Sequence, residues 1–264
     1  MLRNPETGAV FSLIAWDGVD AERWQTMPTI AEQLAHQGRE LVAVQPADFV
    51  NSGLTVAAWR GVRSAVASSL NARVDAAVAE LEAGAKAAYL YWRDIDHTGH
   101  GHGWQSDRWL AELEQFDAGM SRLLRSVPAG TLVVITADHG MIDPTERIDI
   151  VDHPELSAGV DMTAGEERAL QIYTSEAESV AQRYREFLDD QAWVLTKEQL
   201  GSSGLVGVPG RQWSAAVGDV VVFAKGTLGV GDSRSMKPRA LALRGLHGSL
   251  TDREMDIPLL VEVV

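Results

Sequence analysis

Three short apolar runs constrain the architecture more than any other feature of the chain. Leu41-Val42-Ala43-Val44, Ala88-Tyr89-Leu90-Tyr91-Trp92 and Leu132-Val133-Val134-Ile135-Thr136 are too short for helices and lack polar alternation. Strands of this kind need cover on both faces, as in parallel sheets. The intervening segments carry helical signals. Thr29-Ile30-Ala31-Glu32 is a capping box and Gly38 closes its helix. Val74, Val78 and Leu81 keep helical spacing up to Gly84. Leu110, Leu113, Asp117, Met120 and Leu124 fall on one face of a helix that starts near Ser106 and stops before Pro128, which predicts a buried Asp117. This alternation predicts an α/β fold, a mostly parallel central sheet with helices on both faces. After Pro144 the rhythm loosens. Short strands at 169–173 and 220–224 and a helix near 176–188 read as a small α+β insertion or cap over about 145–235. Leu259-Leu260-Val261-Glu262-Val263 returns to the sheet, giving one domain over 1–264.

Charge and composition narrow the function. The 23 basic and 37 acidic residues leave a net charge of −14, which argues against a nucleic-acid polymer or an anionic membrane as partner. A phosphate-bearing ligand would need local compensation, from metals or a few arginines. With no cysteine there are no disulfides, iron–sulfur clusters or thiolate zinc sites, so any zinc must be held by histidine and carboxylate. No apolar run is long enough to span a membrane. No basic segment followed by an apolar stretch opens the sequence, and a cytoplasmic location is expected.

In open parallel sheets, ligands collect at the carboxyl ends of the strands. The strand at 88–92 runs into Asp94-Ile95-Asp96-His97-Thr98-Gly99-His100-Gly101-His102-Gly103, read as a loop. The strand at 132–136 runs into Ala137-Asp138-His139-Gly140-Met141, and Gly245-Leu246-His247-Gly248 precedes the last strand. Five of the seven histidines sit in these three segments. Any one Asp-His pair is commonly just solvated. Three such segments at strand ends point to divalent metal.

Asp96-x-x-x-His100-x-His102-Gly103, Thr136-Ala137-Asp138-His139-Gly140-Met141 and Gly245-x-His247-Gly248 together resemble the alkaline phosphatase superfamily, in its type I phosphodiesterase and nucleotide pyrophosphatase branch. The resemblance implies an alkaline-phosphatase-like fold and a two-zinc phosphodiester hydrolase acting on a small phosphate ester or nucleotide. Asp96, His100 and His247 would make one zinc site; Asp138 and His139 would enter a second. In that family a further Asp completes the second site and a Thr is the nucleophile, with two metals about 4 Å apart stabilising the attacking and leaving oxygens. Asp17-Gly18 mimics the metal-binding Asp, and Thr55 is then the candidate nucleophile. The residues around them look more like sequence downstream of the family's nucleophile, which favours a chain that begins inside the fold. A sulfatase would need a Cys/Ser-x-Pro-x-Arg motif, and Ser235-Met236-Lys237-Pro238-Arg239 has the wrong spacing. A metal-dependent phosphomutase and a non-catalytic metal-binding remnant are the competing readings.

Overall fold

The computed structural model describes residues 1–208, 210 and 213–264. In chain order its principal helices are α1 (Ile30–His36), α2 (Gly53–Trp59), α3 (Leu70–Glu82), α4 (Asp94–His102), α5 (Asp107–Ser126), α6 (Ala177–Leu188) and α7 (Asp252–Met255). The principal strands are β1 (Leu41–Gln45), β2 (Arg63–Val66), β3 (Ala87–Leu90), β4 (Leu132–Thr136), β5 (Glu146–Asp149), β6 (Met162–Glu166), β7 (Ala169–Tyr173), β8 (Ala192–Thr196), β9 (Val220–Ala224), β10 (Leu228–Gly231) and β11 (Leu259–Val263). The chain forms two compact units. One comprises Met1–Phe11, Thr98–Ser106 and Ala137–Ile257; the other comprises Ser12–His97, Asp107–Thr136 and Pro258–Val264.

The second of these units carries the helix–strand alternation. β1 lies between β2 and β3, and both pairings are parallel. All five residues of β1 are buried, as its unbroken apolar run requires. Its core joins Val44 to Leu70, Val74 and Ala77 of α3 and to Met120 and Leu123 of α5. Ser69 caps α3 by accepting from the Ala72 N–H.

Three expectations fail in this unit. β4 is not buried on both faces: Val133 is 9% exposed, but Leu132 and Val134 are 59% and 50% exposed. β11 pairs antiparallel with β4 rather than extending a parallel array, and all five of its residues are exposed. The third concerns Asp117, which is exposed. The stripe of α5 that packs inward runs through Phe116, Met120 and Leu123. At 3.6 residues per turn, position 117 stands about 100° round from 116, outside that stripe.

The other unit is built on an antiparallel four-stranded sheet, ordered β8-β9-β7-β6. α6 covers it, and Val180, Ala181, Tyr184 and Leu188 pack with Leu170, Ile172, Val194, Val220 and Val222 into a second core. A parallel pair, β5 with β10, lies in the same unit. The mixed α/β class is therefore observed, with parallel and antiparallel pairings in both units. Among the described residues no helix is long and apolar enough to cross a membrane.

Candidate metal centre

The Asp94–Gly103 segment is not a loop: residues 94–102 form α4. Its glycines lower helix propensity, and so the sequence alone suggests a loop. The charge pattern favours a helix, with Asp94 and Asp96 in the first turn complementing the helix dipole. Backbone partners fix its far end. Arg244 N donates to the His100 carbonyl at 2.7 Å and Gly245 N to the Gly99 carbonyl at 3.1 Å, filling acceptors that a helix terminus leaves open. Asp96 and His100, four residues apart, share a face of α4.

The second imidazole comes from the segment that docks on this helix end. Leu246 forms a bridge with Ile142, which ties the Gly245–Gly248 segment to the one that follows Asp138-His139. A Cβ on Gly245 would lie 2.4 Å from Met141 Sδ and 2.7 Å from the Gly99 carbonyl, so only glycine fits where these segments converge. Gly140 is constrained in the same way: a Cβ there would lie 2.0 Å from the Arg253 carbonyl. The glycines of the Asp-His-Gly and Gly-x-His-Gly motifs thus allow three segments to pack closely enough for their histidines to meet.

His100 Nε2 and His247 Nε2 are 3.3 Å apart. The His139 ring stacks on His247 with centroids 3.5 Å apart and planes 14° from parallel. His100 Nδ1 is 2.7 Å from the Gly245 carbonyl, and His139 Nδ1 is 2.8 Å from the Gly140 carbonyl. A carbonyl only accepts, so each Nδ1 carries a proton and Nε2 is the nitrogen left to face the cluster. Burial, then the neighbouring His139 and His100, push the His247 pKa down to about 4 against the opposing pull of Asp138 and Glu254. His247 is therefore neutral at pH 7, the form in which imidazole binds metal. Zinc–nitrogen bonds of 2.0–2.1 Å in tetrahedral geometry place two donor nitrogens about 3.3–3.4 Å apart, which the His100–His247 separation matches.

The remaining candidates are placed as follows. Asp138 is exposed, with Oδ1 3.7 Å from His139 Nε2. His97 and His102 are also exposed. Trp104 is half-buried; its N–H donates to Asp143 Oδ1 at 3.0 Å, and the Arg253 guanidinium stands 5.6 Å from its ring centroid. Thr55 is in the first turn of α2, where its hydroxyl donates to the Phe49 carbonyl at 2.6 Å and its N–H donates to the Ser52 hydroxyl. Asp17 is exposed, in a turn. Sequence reasoning overlooked Glu254, which is buried beside the His139 and His247 segments. Its signal was present in Thr251-x-x-Glu254, whose spacing is that of a capping box.

Comparison with known proteins identifies the fold and the family. The murine ectonucleotide pyrophosphatase/phosphodiesterase 5, solved as an inactive variant in complex with AMP, superposes with a TM-score of 0.72 at 17% identity, covering 98% of this chain and 70% of that one. Phosphonoacetate hydrolase from Sinorhizobium meliloti, solved with phosphonoacetate, gives a TM-score of 0.66 at 17% identity, covering 98% and 72%. These likenesses show a shared, alkaline-phosphatase-like fold. By sequence, the chain is 32% identical to the phosphopentomutase of Sinorhizobium medicae over 123 residues, 46% of this chain and 28% of that enzyme. It is 28% identical to the phosphopentomutase of Shewanella baltica over 165 residues, 60% of this chain and 38% of that enzyme. The chain thus spans well under half the length of these curated relatives. The family profile described as type I phosphodiesterase / nucleotide pyrophosphatase matches residues 2–250. With nearly its whole length matched, the chain belongs to the type I phosphodiesterase / nucleotide pyrophosphatase family, a family of phosphoric ester hydrolases within the alkaline phosphatase superfamily.

Proposed function

We propose that this chain provides the metal-binding part of a phosphodiesterase-type hydrolase acting on a small phosphate ester or nucleotide. The observation that carries this reading is the paired Nε2 atoms of His100 and His247, 3.3 Å apart and adjoined by the stacked His139. From the sequence motifs, Asp96 is the proposed carboxylate donor to the cation that His100 and His247 would hold. Nitrogen and carboxylate donors without sulfur suit zinc in a catalytic site. Asp138 and His139 are the proposed donors to a second cation. When bound, such ions stabilise negative charge on phosphoryl oxygens.

The protein's own contribution is to bring the imidazoles together, with His100 and His139 each protonated at Nδ1. The carbonyls of Gly245 and Gly140 fix those tautomers. Thr55 remains the candidate nucleophile from sequence, although its hydroxyl donates to a backbone carbonyl. The test is a zinc titration followed by turnover of bis(p-nitrophenyl) phosphate, in the parent chain and in His247→Ala. Zinc-dependent turnover that His247→Ala abolishes supports the proposal. Zinc binding without turnover selects the non-catalytic reading, and absence of zinc binding rejects the metal centre.

A phosphomutase is the second reading, favoured by the sequence likeness to phosphopentomutases. Interconversion of ribose 1-phosphate and ribose 5-phosphate, with no release of inorganic phosphate, would select it.

A further inference from the structure

Arg168 and Glu254 form an ion pair with no solvent access worth the name: their side chains are 0% and 1% exposed. Arg168 Nε donates to Glu254 Oε1 at 3.0 Å and a terminal nitrogen donates to Oε2 at 2.6 Å, a two-pronged pairing. The other terminal nitrogen donates to the carbonyl of Leu228, the first residue of β10. The guanidinium is thereby tied to the sheet side of the unit. Buried pairs of this kind gain little net stability, because desolvating two charges offsets most of their attraction. The rest of Glu254's bonding suggests what the pair does.

Two of the remaining contacts lead to histidine-bearing segments. Glu254 Oε1 accepts from Ser249 N at 3.0 Å, two residues beyond His247. Glu254 Oε2 accepts from the Thr251 hydroxyl at 2.5 Å, which holds the turn between Ser249 and α7. The Glu254 backbone carbonyl accepts from Gly140 N at 2.8 Å, next to His139. One residue therefore grips both histidine-bearing segments, while Arg168 fixes that residue to the sheet. We propose that Arg168 and Glu254 are positioning residues, whose pairing sets the stacking of His139 on His247 and hence the geometry offered to a cation. The proposal rests on reading these imidazoles as metal ligands.

The decisive variant is the double replacement Arg168→Met with Glu254→Leu. Exchanging a buried ion pair for apolar side chains of similar volume commonly preserves stability, so the protein should melt near the parent temperature. It nevertheless loses the bond to Ser249 N. Zinc affinity, measured by competition with Co²⁺ absorption, should fall about 10–100-fold, the usual loss when a group that orients a ligand is removed. The ring-current shifts of His139 and His247, read by NMR without metal, should collapse towards random-coil values. A folded double variant with parental affinity and parental ring shifts overturns the proposal. If the double variant does not fold, Thr251→Val decides, since it leaves the ion pair intact and removes one restraint on Glu254. A fall in zinc affinity of about threefold, the scale of one hydrogen bond, supports the proposal, and an unchanged affinity overturns it. Should the parent bind no zinc, the metal reading fails, while the ring shifts of these same variants still decide whether the pair positions the rings.

Discussion

His139 lies flat against His247, 3.5 Å between ring centroids, and the two are held there by segments more than a hundred residues apart in the chain. Burial first, then its histidine neighbours, push the His247 pKa down to about 4, so this ring is neutral at pH 7. Removing His247 should do more than delete one donor. His247→Ala is expected to weaken zinc binding by more than about 100-fold, beyond the 10–100-fold typical of losing an orienting group. Isothermal titration with zinc checks this. Parental affinity in a folded variant would exclude His247 as a ligand.

Gly140→Ala tests the packing beneath the cluster. Its Cβ would fall 2.0 Å from the Arg253 carbonyl, a backbone atom that cannot rotate aside. Forced overpacking of this kind costs about 1–3 kcal/mol, to be measured as a shift in urea midpoint at unchanged slope. A midpoint equal to the parent's would show that the two segments are less closely apposed than the structure has them.

Acid should destabilise the unit built on the antiparallel sheet, partly through Asp232. Burial raises the pKa of this carboxyl, but hydrogen bonds from Arg234 and Thr163 outweigh burial and hold it below its ordinary value of 3.8. A carboxylate with a lowered folded pKa adds stability above the unfolded pKa and loses it as pH falls through the folded one. The contribution should thus be complete above about pH 4–5, decline below the unfolded value, and vanish only once pH falls through the folded pKa, which lies under 3.8. Asp232→Asn should flatten the acid limb of a melting-temperature profile, and an unaltered limb would assign acid sensitivity elsewhere.

The open face of the β4–β11 pair has a measurable consequence. Leu259, Val263 and Leu132 are 70%, 66% and 59% exposed, an apolar surface of a kind that soluble proteins seldom leave contiguous. The isolated chain should bind the dye ANS and self-associate with rising concentration. Val134→Thr with Leu259→Thr should reduce both, while stability changes by no more than about 0.5 kcal/mol, as is usual for exposed positions. Absence of dye binding by the parent would mean that this face is covered in solution.

Much of this was legible in the sequence, for identifiable reasons. The apolar runs of β1, β7 and β9, the capping box of α1 and the glycine that follows α3 are local signals, and local structure follows them. The histidine motifs were legible because their spacing is unusual. What misled was environment. Gly99 and Gly101 suggested a loop, yet α4 forms because residues 244 and 245 complete its end from far along the chain. The apolar character of Leu132 and Val134 suggested burial, and no local pattern reveals that a face goes uncovered. Glu254 and Arg168 escaped notice because a buried ion pair joins residues 86 positions apart, and sequence shows neither partner the other.

The way α4 is finished also fixes when the centre can come into being. His100 has its carbonyl satisfied by Arg244 and its ring nitrogen by Gly245, so the helix end that presents it is completed only by residues more than 140 positions downstream. During synthesis from the N-terminus, the histidines at 100 and 139 emerge long before the residues that orient them. A nascent chain that stops short of residue 244 has a helix with an unfinished end and rings without fixed tautomers. At the proposed metal centre, capture of a cation would thereby wait for residues 244 and 245, and shorter nascent chains would be kept from sequestering zinc at a half-built site.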